Sequence, residues 1–204
     1  MRYYTYRNEV TRSSVMAGVK DGSDEAWSRF FDLYAGFIFG IARSKGLLEQ
    51  EADDVVQNVM LSVIDYFNKG FVYDRNKGSF RAWLGHLVGW RINDLIRQRS
   101  HISSGEKVTY TPIEDVQLSE DPELDNVIED EWRAVTIGRA LKILQEDVSL
   151  AHFQVFHAIE IEGWPVEKVS KTFGVTRGNA YQIRKRLRLK FEDILKCELE
   201  NDGL

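Results

Sequence analysis

The sequence predicts an all-α protein: two small helical domains joined by an acidic flexible linker, the second ending in a helix-turn-helix. Three observations lead there. Apolar residues recur at three- and four-residue steps through most of the chain, the period of one buried helix face, and β-type alternation is scarce. The three prolines all fall from Pro112 onward, so no proline interrupts the earlier helical patterns. Between His101 and Pro122 the helical period stops, and Ser, Thr and acidic residues take over. The implied domains are 1–100 and 123–204, with 101–122 as the linker.

Asn8 to Val19 reads as a short first helix, broken by Gly22 and Ser23. From Asp24, the residues Trp27, Phe30, Phe31, Tyr34, Phe37, Ile38, Ile41 and Ala42 keep helical spacing until Gly46. A second helix runs from about Gln50 to Asn68 and carries Val55, Val56, Val59, Met60, Val63, Ile64 and Phe67. Its other face shows Asp54, Gln57, Asn58, Leu61 and Asp65, where a leucine among polar groups is either a partner contact or a lone exposed apolar residue. The following loop, Phe71 to Gly78, pairs aromatics with Arg75 and Lys77. Ser79 caps a third helix that buries Phe80, Trp83, Leu84, Leu87, Val88, Leu95 and Ile96 and ends at Arg97, Gln98 and Arg99, cations that suit the helix dipole.

After the linker, helices are expected at about Glu123 to Leu144 and at Ser149 to Glu162, with Ser149 as N-cap. Pro165 to Phe173 is a short amphipathic helix closed by Gly174. Thr176 then caps a long helix in which Ala180, Ile183, Leu187, Phe191 and Ile194 form the buried stripe. That helix carries Arg177, Arg184, Lys185, Arg186, Arg188 and Lys190 before its first acid, Glu192. Helix, glycine turn and basic second helix form a helix-turn-helix candidate whose second helix enters a DNA major groove. On a helical wheel Gly178, Tyr181, Gln182 and Lys185 lie opposite the buried stripe, with Asn179 and Arg186 on a shoulder. Thr176, Arg177, Gly178, Asn179, Tyr181, Gln182, Lys185, Arg186 and Arg188 are therefore the duplex-binding set. Arg177 and Arg188 favour phosphates, and Asn179, Tyr181, Gln182, Lys185 and Arg186 are the base readers. Arg184 falls beside the apolar stripe and is expected to snorkel or to pair with an acid.

Charge supports this division. The 204 residues carry a net charge of -5, which argues against a uniformly basic surface. Nine acids lie between Glu114 and Glu131 without an intervening Lys or Arg, and the basic run follows some fifty residues later. Such segregation is a hint of nucleic acid. Cys197 is the only cysteine, which excludes an intrachain disulfide and a thiolate cluster. The histidines show no metal-ligand spacing, and no glycine-rich phosphate loop or nucleophile motif is present, so neither metal, cofactor nor enzymatic role is expected. No apolar run reaches the roughly twenty residues of a membrane span, and Met1 to Arg7 lacks the apolar core of a signal peptide, so a cytoplasmic protein is expected.

The order of these features resembles a bacterial RNA polymerase sigma factor of the compact extracytoplasmic-function type. Three stretches carry the likeness. Glu51-Ala52-Asp53-Asp54-Val55-Val56-Gln57-Asn58-Val59-Met60-Leu61 is similar to the family's Asp-Leu-Val-Gln-Glu segment on the helix that grips the polymerase clamp. Asp74 to Leu84 is similar to its Gly-Ser-Phe-Arg-Ala-Trp-Leu signature, and Glu162 to Arg186 to its helix-turn-helix segments. The resemblance implies an amino-terminal domain that binds the polymerase clamp through Asp53, Asp54, Gln57, Asn58 and Leu61 and melts the minus-ten element. It implies a carboxy-terminal domain that reads the minus-thirty-five element. Core RNA polymerase and promoter DNA are the implied partners, with an anti-sigma factor as a further one.

Melting without ATP needs a trap for unpaired bases, and aromatic rings beside cations provide one, at about 1–3 kcal/mol per stacked base. Phe71, Tyr73, Arg75, Asn76 and Lys77, with Trp90, Asn93, Arg97 and Arg99 on the next helix, are the melted-strand set. Phe71 and Tyr73 either stack on bases or cover the helical core. The chain departs from the family in having Gly89-Trp90 where Arg-Asn is common, Asn58 where Glu is usual, and Ile183-Arg184 in reversed order. A divergent subgroup accounts for these. The alternative is a dimeric helix-turn-helix repressor or activator, which explains the carboxy-terminal half but gives no reason for the Gly78-to-Leu84 signature.

Overall fold

The computed structural model describes Val15 and residues 17–19, 21–71, 79–104 and 121–200, and among these every regular element is a helix. The chain divides into two compact units at Arg133 and Ala134.

In the first unit, α1 (Asp24–Ser44) starts at Ser23, whose Oγ accepts from the Ala26 N–H at 3.3 Å. It stops at Gly46, where φ is +85° and a side chain would be strained. α2 (Glu49–Asn68) starts where the Glu51 carboxylate accepts from the Leu48 N–H at 2.8 Å. α3 (Phe80–Ser104) is capped by Ser79, whose Oγ accepts from the Ala82 N–H at 3.2 Å. The three helices pack pairwise over Phe30, Phe37, Ile38, Ile41, Val55, Val59, Val63, Phe80, Leu84 and Leu87, each nearly or fully buried. Burial of each such side chain is worth about 1.5–3 kcal/mol against the unfolded chain, before its ordering entropy is subtracted. Phe30, Tyr34 and Phe80 add a ring cluster with centroids 4.7–6.0 Å apart.

Two boundaries differ from the sequence expectation. α3 continues through Ser104, past the Arg99 end and into the residues assigned to the linker. His101, Ile102, Ser103 and Ser104 carry no breaker, so backbone hydrogen bonding propagates where apolar periodicity has already lapsed. The rest of that linker, 105–120, lies outside the described residues, as does most of the Asn8-to-Val19 helix. α4 (Pro122–Asp147) is one helix, capped by Asp121, whose Oδ1 accepts from the Leu124 N–H at 3.1 Å. Its residues 122–133 pack with the first unit, whereas the sequence assigned everything from Glu123 onward to the second. Leu124, Ile128 and Trp132, at four-residue steps, give the reason: they form a complete apolar stripe that needs a core. Trp132 stacks on Tyr34 at 5.9 Å and meets Phe37 edge-on at 5.2 Å.

The second unit contains the rest of α4, then α5 (Leu150–Glu160), α6 (Val166–Phe173) and α7 (Arg177–Glu200). Ser149 caps α5 through a bond from the His152 N–H at 3.4 Å. Ala140, Leu144, Val155, Phe156, Ile159, Val169, Ala180, Ile183, Leu187 and Ile194 make the core, so the stripe read from the α7 sequence is the buried one. Lys190 closes onto Asp147 at 2.5 Å, tying α7 to the end of α4.

Candidate functional site

On α7 the polarity of the sequence becomes a surface. The Thr176 Oγ accepts from the Asn179 N–H at 3.2 Å and starts the helix, while Gly174 (φ +66°) turns the chain from α6 into it. Ala180, Ile183 and Leu187 anchor one side in the core. Consequently Thr176, Arg177, Gly178, Asn179, Tyr181, Gln182, Lys185, Arg186 and Arg188 are all exposed, on the first three turns of one helix.

The arginines are mostly engaged. Arg184 pairs with Glu160 of α5, as its place beside the apolar stripe led one to expect. Arg177 pairs with Glu167 of α6 at 3.3 Å, and Arg188 with Glu192 one turn on at 3.0 Å. The hydrogen bond that Arg188 donates to the Glu192 carboxylate raises its guanidinium above the ordinary arginine range, so it keeps its charge. Arg186 donates to Nδ1 of His152 at 3.1 Å. His152 is a neighbour that no pattern in the sequence announces, because it comes from the first turn of another helix. Lys185 has no ion-pair partner among the described residues, and Gly178 opens onto empty space.

On α2 the residues Asp53, Asp54, Gln57, Asn58 and Leu61 are exposed together, opposite the buried Val55, Val56, Val59 and Val63. Leu61 is 63% exposed, a large apolar group in the middle of a polar face. Behind that face Ser62 accepts two bonds from Arg91 of α3, at 3.0 Å from Nε and 2.7 Å from Nη2. The face is thereby fixed to the helix beside it.

The melted-strand set is only partly described. Tyr73, Arg75, Asn76 and Lys77, and the side chain of Arg99, lie outside the described residues. Phe71 stacks on Trp83 at 4.8 Å and 22°, and also meets Tyr66 and Phe67, so one face of its ring covers the core. Trp90 is half-buried on α3, while Asn93 and Arg97 are exposed one and two turns beyond Gly89. Arg97 lies 3.6 Å from Asp94.

Residues 30–102, which span most of α1, all of α2 and nearly all of α3, match the family model for sigma-70 region 2. Along 93% of its length the chain is also 24% identical to the ECF RNA polymerase sigma factor SigM of Mycobacterium tuberculosis, of which it covers 87%. Both matches support a sigma factor of the extracytoplasmic-function type. Two solved structures are similar at low TM-scores. CnrH in complex with the cytosolic domain of CnrY gives 0.35, at 20% identity, over 89% of this chain and 95% of that one. The sigma factor RpoE from Bartonella quintana, in complex with the anti-sigma factor NepR, gives 0.31, at 17% identity, over 83% and 96%. A sigma factor is a transcription-initiation factor, and the region 2 match falls on the α2 face and the third helix singled out from the sequence. No helix among the described residues is long and apolar enough to cross a membrane, and none of their His, Cys, Asp and Glu cluster as a metal site.

Proposed function

We propose that this sigma factor divides its work between two surfaces. The α2 face around Gln57 and Leu61 binds the clamp of core RNA polymerase, and the exposed side of α7 reads duplex promoter DNA at the minus-thirty-five element. α6, the Gly174 turn and α7 act as a helix-turn-helix, with α7 in the major groove. Asn179, Tyr181, Gln182, Lys185 and Arg186 face base edges, while Arg177 and Arg188 fix the register on phosphates. Trp90, Asn93 and Arg97, with Tyr73, Arg75, Asn76, Lys77 and Arg99, hold the melted strand of the minus-ten element. Phe71 contributes as the floor of that site. The protein works in the cytoplasm as a polymerase subunit, and the catalysis belongs to the polymerase.

The observation that carries this reading is the sorting of charge on α7. Its core-side arginine is taken by Glu160, and Lys185, with no ion-pair partner among the described residues, sits beside Asn179 and Gln182 on one exposed face. A dimeric regulator shares that face but leaves the region 2 match over 30–102 without a purpose. Run-off transcription with core polymerase on genomic fragments tests the reading directly. Promoter-dependent transcripts that vanish without the protein are expected. Failure to associate with core polymerase, together with a shift of palindromic duplex by the protein alone, overturns it.

A further inference from the structure

The stripe of α4 described above lies in a groove shaped by glycines. A Cβ at Gly85 would meet Ile128 at 2.5 Å, and one at Gly89 would meet Leu124 at 2.7 Å. A Cβ at Gly40 of α1 would collide with the Glu131 side chain, which also bonds Ser44. Polar pairs flank this seam: Arg81 to Glu129 at 2.8 Å, and His86 Nε2 to Asp125 at 3.2 Å. The pairings 129 with 81, 128 with 85, 125 with 86 and 124 with 89 run in opposite directions, so the start of α4 points along α3 toward its carboxy-terminal half.

Asn93 and Arg97 continue that line by steps of four. At about 1.5 Å per residue, Asn93 is roughly 6 Å beyond Gly89, and Asp121 roughly 4.5 Å beyond Leu124 in the same direction. Asp121 and Glu123 therefore reach the stretch of α3 assigned above to the melted strand. At physiological salt charges are felt over about 8 Å. We propose that residues 121–133 are an intramolecular latch: docked, they set carboxylates against the strand-binding end of α3 and weaken its hold on single-stranded DNA, and undocking restores it. The inference rests on the strand-binding role proposed for Trp90, Asn93 and Arg97.

The test uses the full chain and a labelled single-stranded oligonucleotide read by fluorescence anisotropy. In a Cys197→Ser background, which removes the only cysteine, Gly89→Cys with Leu124→Cys places a sulfur near the present Leu124 Cγ, 3.8 Å from the position-89 Cβ. That is within reach of a disulfide. The oxidised form is expected to bind at least about fivefold more weakly than the same protein reduced. Leu124→Ser with Ile128→Ser, and separately Asp121→Asn with Glu123→Gln, are expected to bind more tightly than the natural chain, the first with faster amide exchange over 124–132. The charge pair leaves the apolar seam and its His86–Asp125 and Arg81–Glu129 pairs in place, and Asp121→Asn keeps the capping oxygen, so it stays informative if a seam variant misfolds. Equal binding by all forms overturns the latch and leaves the strand site standing. No binding by any form, with the charge pair folded, overturns the strand site and the latch with it.

Discussion

Glu160 and Arg184 join α5 to α7 in an ion pair whose carboxylate is 18% and guanidinium 38% exposed. Half-buried and charge-assisted, the pair orients α7 from behind and lies away from the exposed side proposed to read DNA.

Arg184→Ala is therefore expected to lower stability by about 1–2 kcal/mol, below what a fully buried pair would give because solvent screens the guanidinium. The ratio of specific to nonspecific duplex affinity is expected to stay constant. Chemical denaturation and competition binding check the two halves. A changed ratio with unchanged stability would make Arg184 a base reader.

Lys185→Ala is expected to cost about 1–3 kcal/mol on the preferred upstream element and to relax preference at one base pair. Arg177→Ala should instead weaken binding to all sequences alike and make the salt dependence shallower by about one phosphate contact. Titrations on matched and scrambled duplexes at several salt concentrations separate the roles. A uniform loss for Lys185→Ala would reassign it to phosphate.

Replacing Gln57 and Leu61 together with alanine is expected to abolish co-purification with core polymerase while leaving helical content and duplex binding in place. Both side chains are exposed, so the folded state loses little. Retained polymerase binding would move the interface elsewhere.

Gly89→Val is expected to destabilise the first unit by about 1–3 kcal/mol, because the new side chain has to displace Leu124. Adding Leu124→Ala should recover part of that loss, since the two residues share one volume. Thermal unfolding of both single variants and the double variant measures the coupling, and strict additivity would mean that the seam is loose.

Much of the architecture was legible from residue spacing. Ser79, Ser149 and Thr176 act as caps, and Ala180, Ile183, Leu187 and Ile194 are buried, because capping and amphipathic period are local properties. The polar face of α2 followed from the same rule. The partner of a helix stripe is a different matter. Leu124, Ile128 and Trp132 announce a buried face without naming the core that takes it, and Gly89 was noticed only as a departure from family usage. Its purpose, room for Leu124, emerges when two segments distant in sequence meet. The His152–Arg186 contact was hidden for the same reason.

The glycine seam also has a consequence in time. Gly85 and Gly89 each cost α3 about 1 kcal/mol of helix propensity relative to alanine, and that deficit is made up only when Leu124 and Ile128 arrive. On the ribosome, where chains grow at about 5–20 residues per second, α3 is complete at Ser104 but its covering stripe ends at Trp132, so the amino-terminal core waits roughly 1–6 seconds for its last wall. During that interval an apolar, glycine-lined trough faces the cell interior, and a nascent chain stalled there would be a substrate for chaperones.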